Sequence, residues 1–125
     1  MHALIVDDSR AMRMLIGKIV AGLNCTTSFA GNGIEALKHV REVGRPDFVL
    51  ADWNMPEMNG FDLLVAVRAD PALADIPIIM VTTETEASQI EKALAHGANE
   101  YIMKPFTPDI LRDKLDMLGL VPEAA

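Results

Sequence analysis

The sequence predicts an α/β fold built on a five-stranded parallel sheet, and three observations predict it. Short apolar runs alternate with longer segments of helical periodicity from one end of the chain to the other. Five such pairs follow one another with no linker or low-complexity tract between them. The third and fourth runs are apolar almost throughout, as strands covered on both faces must be. Strict alternation of this kind gives parallel strands joined by right-handed crossovers, with helices on both sides of the sheet.

The expected strands are His2–Asp7, Thr26–Ala30, Asp47–Asp52, Pro77–Thr82 and Glu100–Met103. After the first, Met12, Leu15, Ile16, Ile19, Val20 and Leu23 recur at helical spacing, so that one face of a helix is expected to pack on the sheet, with Ser9 as its cap. The second helix is expected over about Ile34–Val43, with Ala36, Leu37 and Val40 inward and Gly44, Arg45 and Pro46 ending it. The third covers about Phe61–Ala69, and the fourth about Glu86–His96 with Gly97 as its stop. The fifth has the clearest start: Thr107 can cap, Pro108 suits the first helical position, and Asp109 favours the positive end of the helix dipole. Its inward stripe is Leu111, Leu115 and Leu118. Together these give a flavodoxin-like doubly wound fold with strand order 2-1-3-4-5.

A chain of 125 residues suits one domain, so residues 1–125 are read as a single unit without an effector domain. Half the residues are hydrophobic and 23% are charged, which excludes a disordered chain. No apolar run approaches the ~20 residues of a membrane span. The N-terminal run Ala3–Val6 is too short for a signal peptide and lacks a basic leader, so the cytoplasm is the expected compartment. Cys25 is the lone cysteine, read as packing and not as a disulfide or thiolate ligand. A net charge of −7 disfavours direct binding to nucleic acid or anionic lipid and favours protein partners or cations.

In a doubly wound sheet the C-terminal strand ends share one edge, and ligands bind there where the strand order reverses. The first run stops at Asp7 and Asp8, the third at Asp52, the fourth at Thr82 and Thr83, and the fifth at Lys104. The second ends in Ala30 and Gly31, at the far edge from the switch point. Taken singly, each feature has a plain reading. Asp8 or Ser9 would cap a helix, Asp52 before Pro56 and Gly60 would be loop chemistry, Thr82 a strand residue, and Lys104 a solvated charge. Three carboxylates, a hydroxyl and an ammonium meeting at one edge are not explained that way.

Asp7, Asp8 and Asp52 in one pocket would repel one another unless a cation neutralises them. A few hard oxygen ligands suit Mg²⁺, with no His or Cys cluster competing, and the backbone carbonyl of Asn54 is placed to complete the shell. Asp52 would then act as a nucleophile on phosphorus and form an acyl phosphate, while Thr82 and Lys104 share the transferred oxygens. His2, His39 and His96 lie on different elements without ligand spacing and are given no phosphotransfer or metal role. The eight methionines are read mostly as core filling.

At these positions the chain resembles the receiver domains of two-component response regulators across essentially its whole length. The matching residues are Asp7-Asp8, Asp52, Asn54-Met55-Pro56, Gly60, Thr82, Tyr101 and Lys104-Pro105-Phe106. The resemblance implies Mg²⁺ at Asp7, Asp8, Asp52 and Asn54, phosphorylation of Asp52 by a sensor histidine kinase, and phosphoryl contacts from Thr82 and Lys104. It also implies that Thr82 moves toward the phosphate and Tyr101 turns inward. That movement would change the face formed by the fourth helix, fifth strand and fifth helix. A cis Lys104-Pro105 bond is a further implication. Within the family, the run Asp52-Trp53-Asn54-Met55-Pro56 looks most like the chemotaxis regulator that binds the flagellar motor switch. Thr83 departs from the family pattern, which usually has a smaller residue there, and its bulk bears on the rates of phosphorylation and dephosphorylation.

Two other readings stand beside a phosphorylation-dependent binding module. One is a phosphate shuttle or sink within a phosphorelay. The other is an Mg²⁺-dependent phosphohydrolase with an aspartyl-phosphate intermediate, against which Asn54 argues. Such enzymes typically place a second acid two residues after the nucleophile, and an amide cannot protonate a leaving group.

Overall fold

The computed structural model describes residues 1–83 and 87–120. Elements follow one another as β1 (His2–Val6), α1 (Arg10–Gly22), β2 (Thr26–Ala30), α2 (Gly33–Glu42), β3 (Phe48–Asp52), α3 (Gly60–Ala69), β4 (Ile78–Thr82), α4 (Ala87–Ala95), β5 (Glu100–Met103) and α5 (Pro108–Met117). The strands form one parallel sheet in the order β2-β1-β3-β4-β5, as the alternation predicts. The expected start of α4 at Glu86 lies outside the described residues.

Two apolar layers sandwich the sheet. One lies under α1 and α5, where Ile16, Val20, Leu111 and Leu115 pack against Ile5, Leu50, Val81 and Ile102. The other lies under α2, α3 and α4, where Val40, Leu64, Val67 and Ala93 meet Leu4, Val49, Ala51 and Met80. Successive residues of β1, β3 and β4 go to opposite layers, which is why these strands read as unbroken apolar runs.

Side chains cap the helices as local chemistry dictates. Ser9 accepts from the N–H of Met12 and Thr107 from that of Ile110, as expected, while Asn32 and Asn59 do the same for Glu35 and Asp62. The glycine after α4, Gly97, has a φ of +102°, a conformation that ends a helix and that side-chain-bearing residues rarely adopt. Arg68, on α3, donates to the carbonyls of Gly97, Ala74 and Ile76 and to Asn99 Oδ1, tying the ends of α3 and α4 to the chain entering β4 and β5.

Two expectations about packing are corrected. Leu15 is not on the buried face of α1: it is 51% exposed, because Ile16, Gly17 and Val20 point at the sheet and Leu15 falls outside that arc. Nor are the methionines mostly core filling. Met80 alone is buried; Met1, Met14 and Met117 are exposed, Met12, Met55 and Met58 sit partly buried at the borders of the two layers, and Met103 is partly buried at the end of β5.

Leu64 is fully buried, so Leu64→Ala is expected to cost about 2–5 kcal/mol of unfolding free energy, whereas Leu15→Ala should cost under about 1 kcal/mol. Urea denaturation of the two variants measures both.

Candidate phosphoacceptor and metal site

The site forms where β1, β3, β4 and β5 end together. Pairing in register brings Val6 beside Ala51, Asp52 beside Val81, and Thr82 beside Met103. The residues that follow, Asp7 and Lys104, therefore reach the same edge as Asp52 and Thr82. Backbone bonds fix these ends: Asp7 N–H donates to the carbonyl of Ala30, Trp53 N–H to Val81, and Lys104 N–H to Thr82. Gly60 lies directly beneath the Asp52 carbonyl, where a Cβ would collide with backbone, so the loop after β3 can close only over a glycine.

Carboxylate oxygens of Asp7, Asp8 and Asp52 lie within 4.8 Å of one another. Asp7 is buried, Asp52 is half-buried, and Asp8 is exposed at the mouth. Lys104 reaches into this cluster. Its Nζ is 2.9 Å from Asp7 Oδ2 and 3.3 Å from Asp52 Oδ1, so one ammonium bridges acids carried by two different strands. Asp7 Oδ1 accepts from the N–H of Ser9 at 2.9 Å, and the Asp7 carbonyl accepts from the Arg13 guanidinium at 2.6 Å. Thr82 is buried at the end of β4, and Asn54 is exposed in the loop beyond Asp52. The Lys104-Pro105 peptide bond is cis, as expected.

Burial raises the pKa of Asp52 above the ordinary carboxylate value; the Lys104 charge opposes the rise, while Asp7 and Asp8 add to it. For Lys104, burial acts to lower the pKa, but hydrogen bonding to Asp7 and the charges of Asp52 and Asp7 outweigh it, so the ammonium is held more firmly than usual. The donor set fits a hard divalent cation: three carboxylates from two strand ends, one open to solvent, with oxygens close enough to share one ion.

The structure thus brings Asp7, Asp8, Asp52 and Lys104 into one pocket, with Thr82 at the adjoining strand end and Asn54 in the loop two residues beyond Asp52. Tyr101 stands apart on β5, half-buried, with Lys114 Nζ 4.8 Å from its ring centre. The same ammonium is 3.2 Å from Glu100 Oε1, which also accepts the Tyr101 N–H. Thr83 is exposed and lines a groove of about 300 Å³ with Met12, Leu15, Lys104, Pro105 and Phe106. Sequence reasoning did not find the Lys104–Asp7 pair, the Arg13 contact or the Glu100–Lys114 pair. All three depend on side chains from separate elements, and no spacing announces them.

The profile of the response regulator receiver domain matches residues 3–116. The chain belongs to the response regulator receiver family. This receiver is 43% identical over 119 residues to the chemotaxis protein CheY1 of Helicobacter pylori, covering 94% of this chain and 96% of that one. It is 44% identical over 119 residues to the chemotaxis protein CheY of Pseudomonas aeruginosa, covering 94% and 95%. Among solved structures, the chemotaxis response regulator CheY4 of Vibrio cholerae superposes on the receiver with a TM-score of 0.85 at 33% identity, covering 94% of this chain and 97% of that one. The receiver is thus homologous to proteins named as chemotaxis response regulators. No described helix is long and apolar enough to cross a membrane.

Because its folded-state pKa is raised, ionised Asp52 opposes folding at every pH above that value and has no effect below the unfolded pKa, near 4. Asp52→Asn is accordingly expected to unfold at a higher temperature than wild type at pH 7 in EDTA, with the gain vanishing as the pH falls toward 4. Thermal melts of both proteins across that range measure the effect.

Proposed function

We propose that this receiver is a phosphorylation-controlled binding module: Asp52 accepts a phosphoryl group from a sensor histidine kinase, and the face formed by α4, β5 and α5 then binds a protein partner. The observation that carries this reading is the bridging of Asp7 and Asp52 by Lys104 at the C-terminal edge of the sheet. A carboxylate oxygen of Asp52 attacks phosphorus, the bond from phosphorus to the donor imidazole nitrogen breaks, and an acyl phosphate remains on Asp52. Lys104 supplies a fixed positive charge for the transferred oxygens, and Thr82 a hydroxyl. Mg²⁺ would be held by Asp7, Asp8, Asp52 and the Asn54 carbonyl, and when bound it neutralises charge on the acids and on the phosphoryl group.

Tyr101 and Thr82 are assigned the switch. Lys114 lies over the Tyr101 ring and is paired with Glu100, so a change in the ring's position alters the charged surface of β5 and α5. Similarity to the named chemotaxis proteins favours a chemotaxis role, and the partner proposed for that role is the flagellar motor switch. The receiver is read as acting in the cytoplasm, with no direct contact to nucleic acid and no membrane insertion. It assists its own phosphorylation and dephosphorylation without being an enzyme in the ordinary sense. A shuttle or sink role in a phosphorelay uses the same site. Sustained hydrolysis of small phosphate esters would fit the phosphohydrolase reading, which Asn54 disfavours.

Trp53 follows the proposed phosphoacceptor and is buried, so its fluorescence reports the state of the site. The emission is expected to change on addition of Mg²⁺ and again with beryllofluoride, a phosphoryl mimic. Asp52→Asn should abolish the second change, and a full second response in that variant would place the phosphoacceptor elsewhere.

A further inference from the structure

Trp53 is held by its own backbone on two sides. Its N–H donates to the Val81 carbonyl at 3.2 Å, and its carbonyl accepts from Gly60 N–H at 3.1 Å. Its indole stacks on Phe61, in the first turn of α3, with ring centres 5.6 Å apart and planes inclined by 25°. Phe61 in turn meets Lys92 of α4 and His96, the residue that follows the helix. Lys92 places its Nζ 4.4 Å from the centre of the phenyl ring, and His96 packs edge-on at 4.9 Å. The two are four residues apart, one helical turn, and therefore share a face. His96 is also fixed by its Nδ1, 2.8 Å from the Lys92 carbonyl.

A continuous line of ring contacts thus runs from the residue next to Asp52, across the first turn of α3, to the C-terminal half of α4. Arg68 makes a second link between α3 and α4, but at the far end of α3, where it binds Gly97 and Asn99. Phe61 is the link that begins beside the site.

The geometry points to Phe61 as a positioning residue that couples the state of Asp52 to α4, through Trp53 on one side and Lys92 and His96 on the other. This rests on the reading of Asp52 as phosphoacceptor and of α4 as part of the output face. A displacement of the backbone at residues 52 and 53 moves the indole, because Trp53 is pinned to β4 and to the start of α3. The stacked phenyl ring passes that movement to the cation and imidazole packed against it. Coupling of this kind can travel through a contiguous set of packed groups, and these four side chains are contiguous. Since coupling is reciprocal, whatever binds α4 and shifts Lys92 or His96 also changes the affinity of the Asp52 site for beryllofluoride. His96 thereby acquires a role in packing, not in metal binding or phosphotransfer.

The test uses isotope-labelled full chain with Mg²⁺ and beryllofluoride. It records the ligand affinity by calorimetry and the amide shifts of residues 93–97 by NMR. In wild type, beryllofluoride is expected to move those amides. Phe61→Leu should keep the affinity within about threefold while cutting the α4 response by at least roughly half. Phe61→Tyr, which retains the ring, should restore it. Lys92→Met, a surface change that leaves the aliphatic stem, should reduce the response in the same direction. A Phe61→Leu or Lys92→Met protein that binds beryllofluoride and shows the full α4 response would overturn the coupling alone. A wild-type chain that fails to bind beryllofluoride at all would overturn the phosphoacceptor reading and the coupling with it.

Discussion

The structure turns on one ammonium group shared by two carboxylates. Asp7 and Asp52 come from different strands and sit close together, and burial makes the ionised form of Asp52 costly unless positive charge lies close by. Lys104 provides that charge from a third strand, at 2.9 and 3.3 Å. The arrangement holds only if three strand ends stay in register, and this is the work of the apolar layers on either side of the sheet. Every strand bringing a charged group to the edge is packed along its length by residues such as Leu4, Leu50 and Ile102, which are almost wholly excluded from water. The hydrophobic core thus offsets a locally unfavourable cluster of charge, as functional sites commonly require.

Contacts lead outward from that cluster on one side, and a separate set lies on β5 and α5. On the α3 and α4 side they pass through Trp53 and Phe61 to Lys92 and His96. On the α5 side, Lys114 spans Glu100 and Tyr101. Both end on side chains of α4, β5 and α5, the surface assigned to output. A different surface, the apolar groove beside Thr83, lies between α1 and the chain leaving β5, and the half-exposed Leu15 forms part of its wall.

Most of the fold was legible in the sequence because it is carried by periodicity, and the backbone obeys periodicity nearly everywhere here. Strand ends were legible because polar residues interrupt apolar runs sharply at Asp7, Asp52, Thr82 and Lys104. That sharpness also located the candidate site: a shared sheet edge converts four positions distant in sequence into neighbours. What the sequence concealed was angular or long-range. Leu15 satisfies a helical spacing yet lies outside the buried arc, since spacing fixes a stripe and not its width. Asn32 and Asn59 cap helices whose starts the apolar pattern alone places one residue late. The pairing of Lys104 with Asp7 joins residues 97 positions apart, and only assembly of the sheet brings them together. Lys92 and His96 share a helical turn, but nothing in their spacing reveals that Phe61 is what they pack against.

The most direct test of the central claim is chemical. Incubating the protein with acetyl phosphate and Mg²⁺, followed by peptide mapping, should locate a single base-labile, hydroxylamine-sensitive phosphoryl group on Asp52, with none incorporated in EDTA. Phosphoryl transfer that persists undiminished in Asp52→Asn, or that maps to a serine, threonine or histidine, would contradict the proposed role of the acid pair bridged by Lys104.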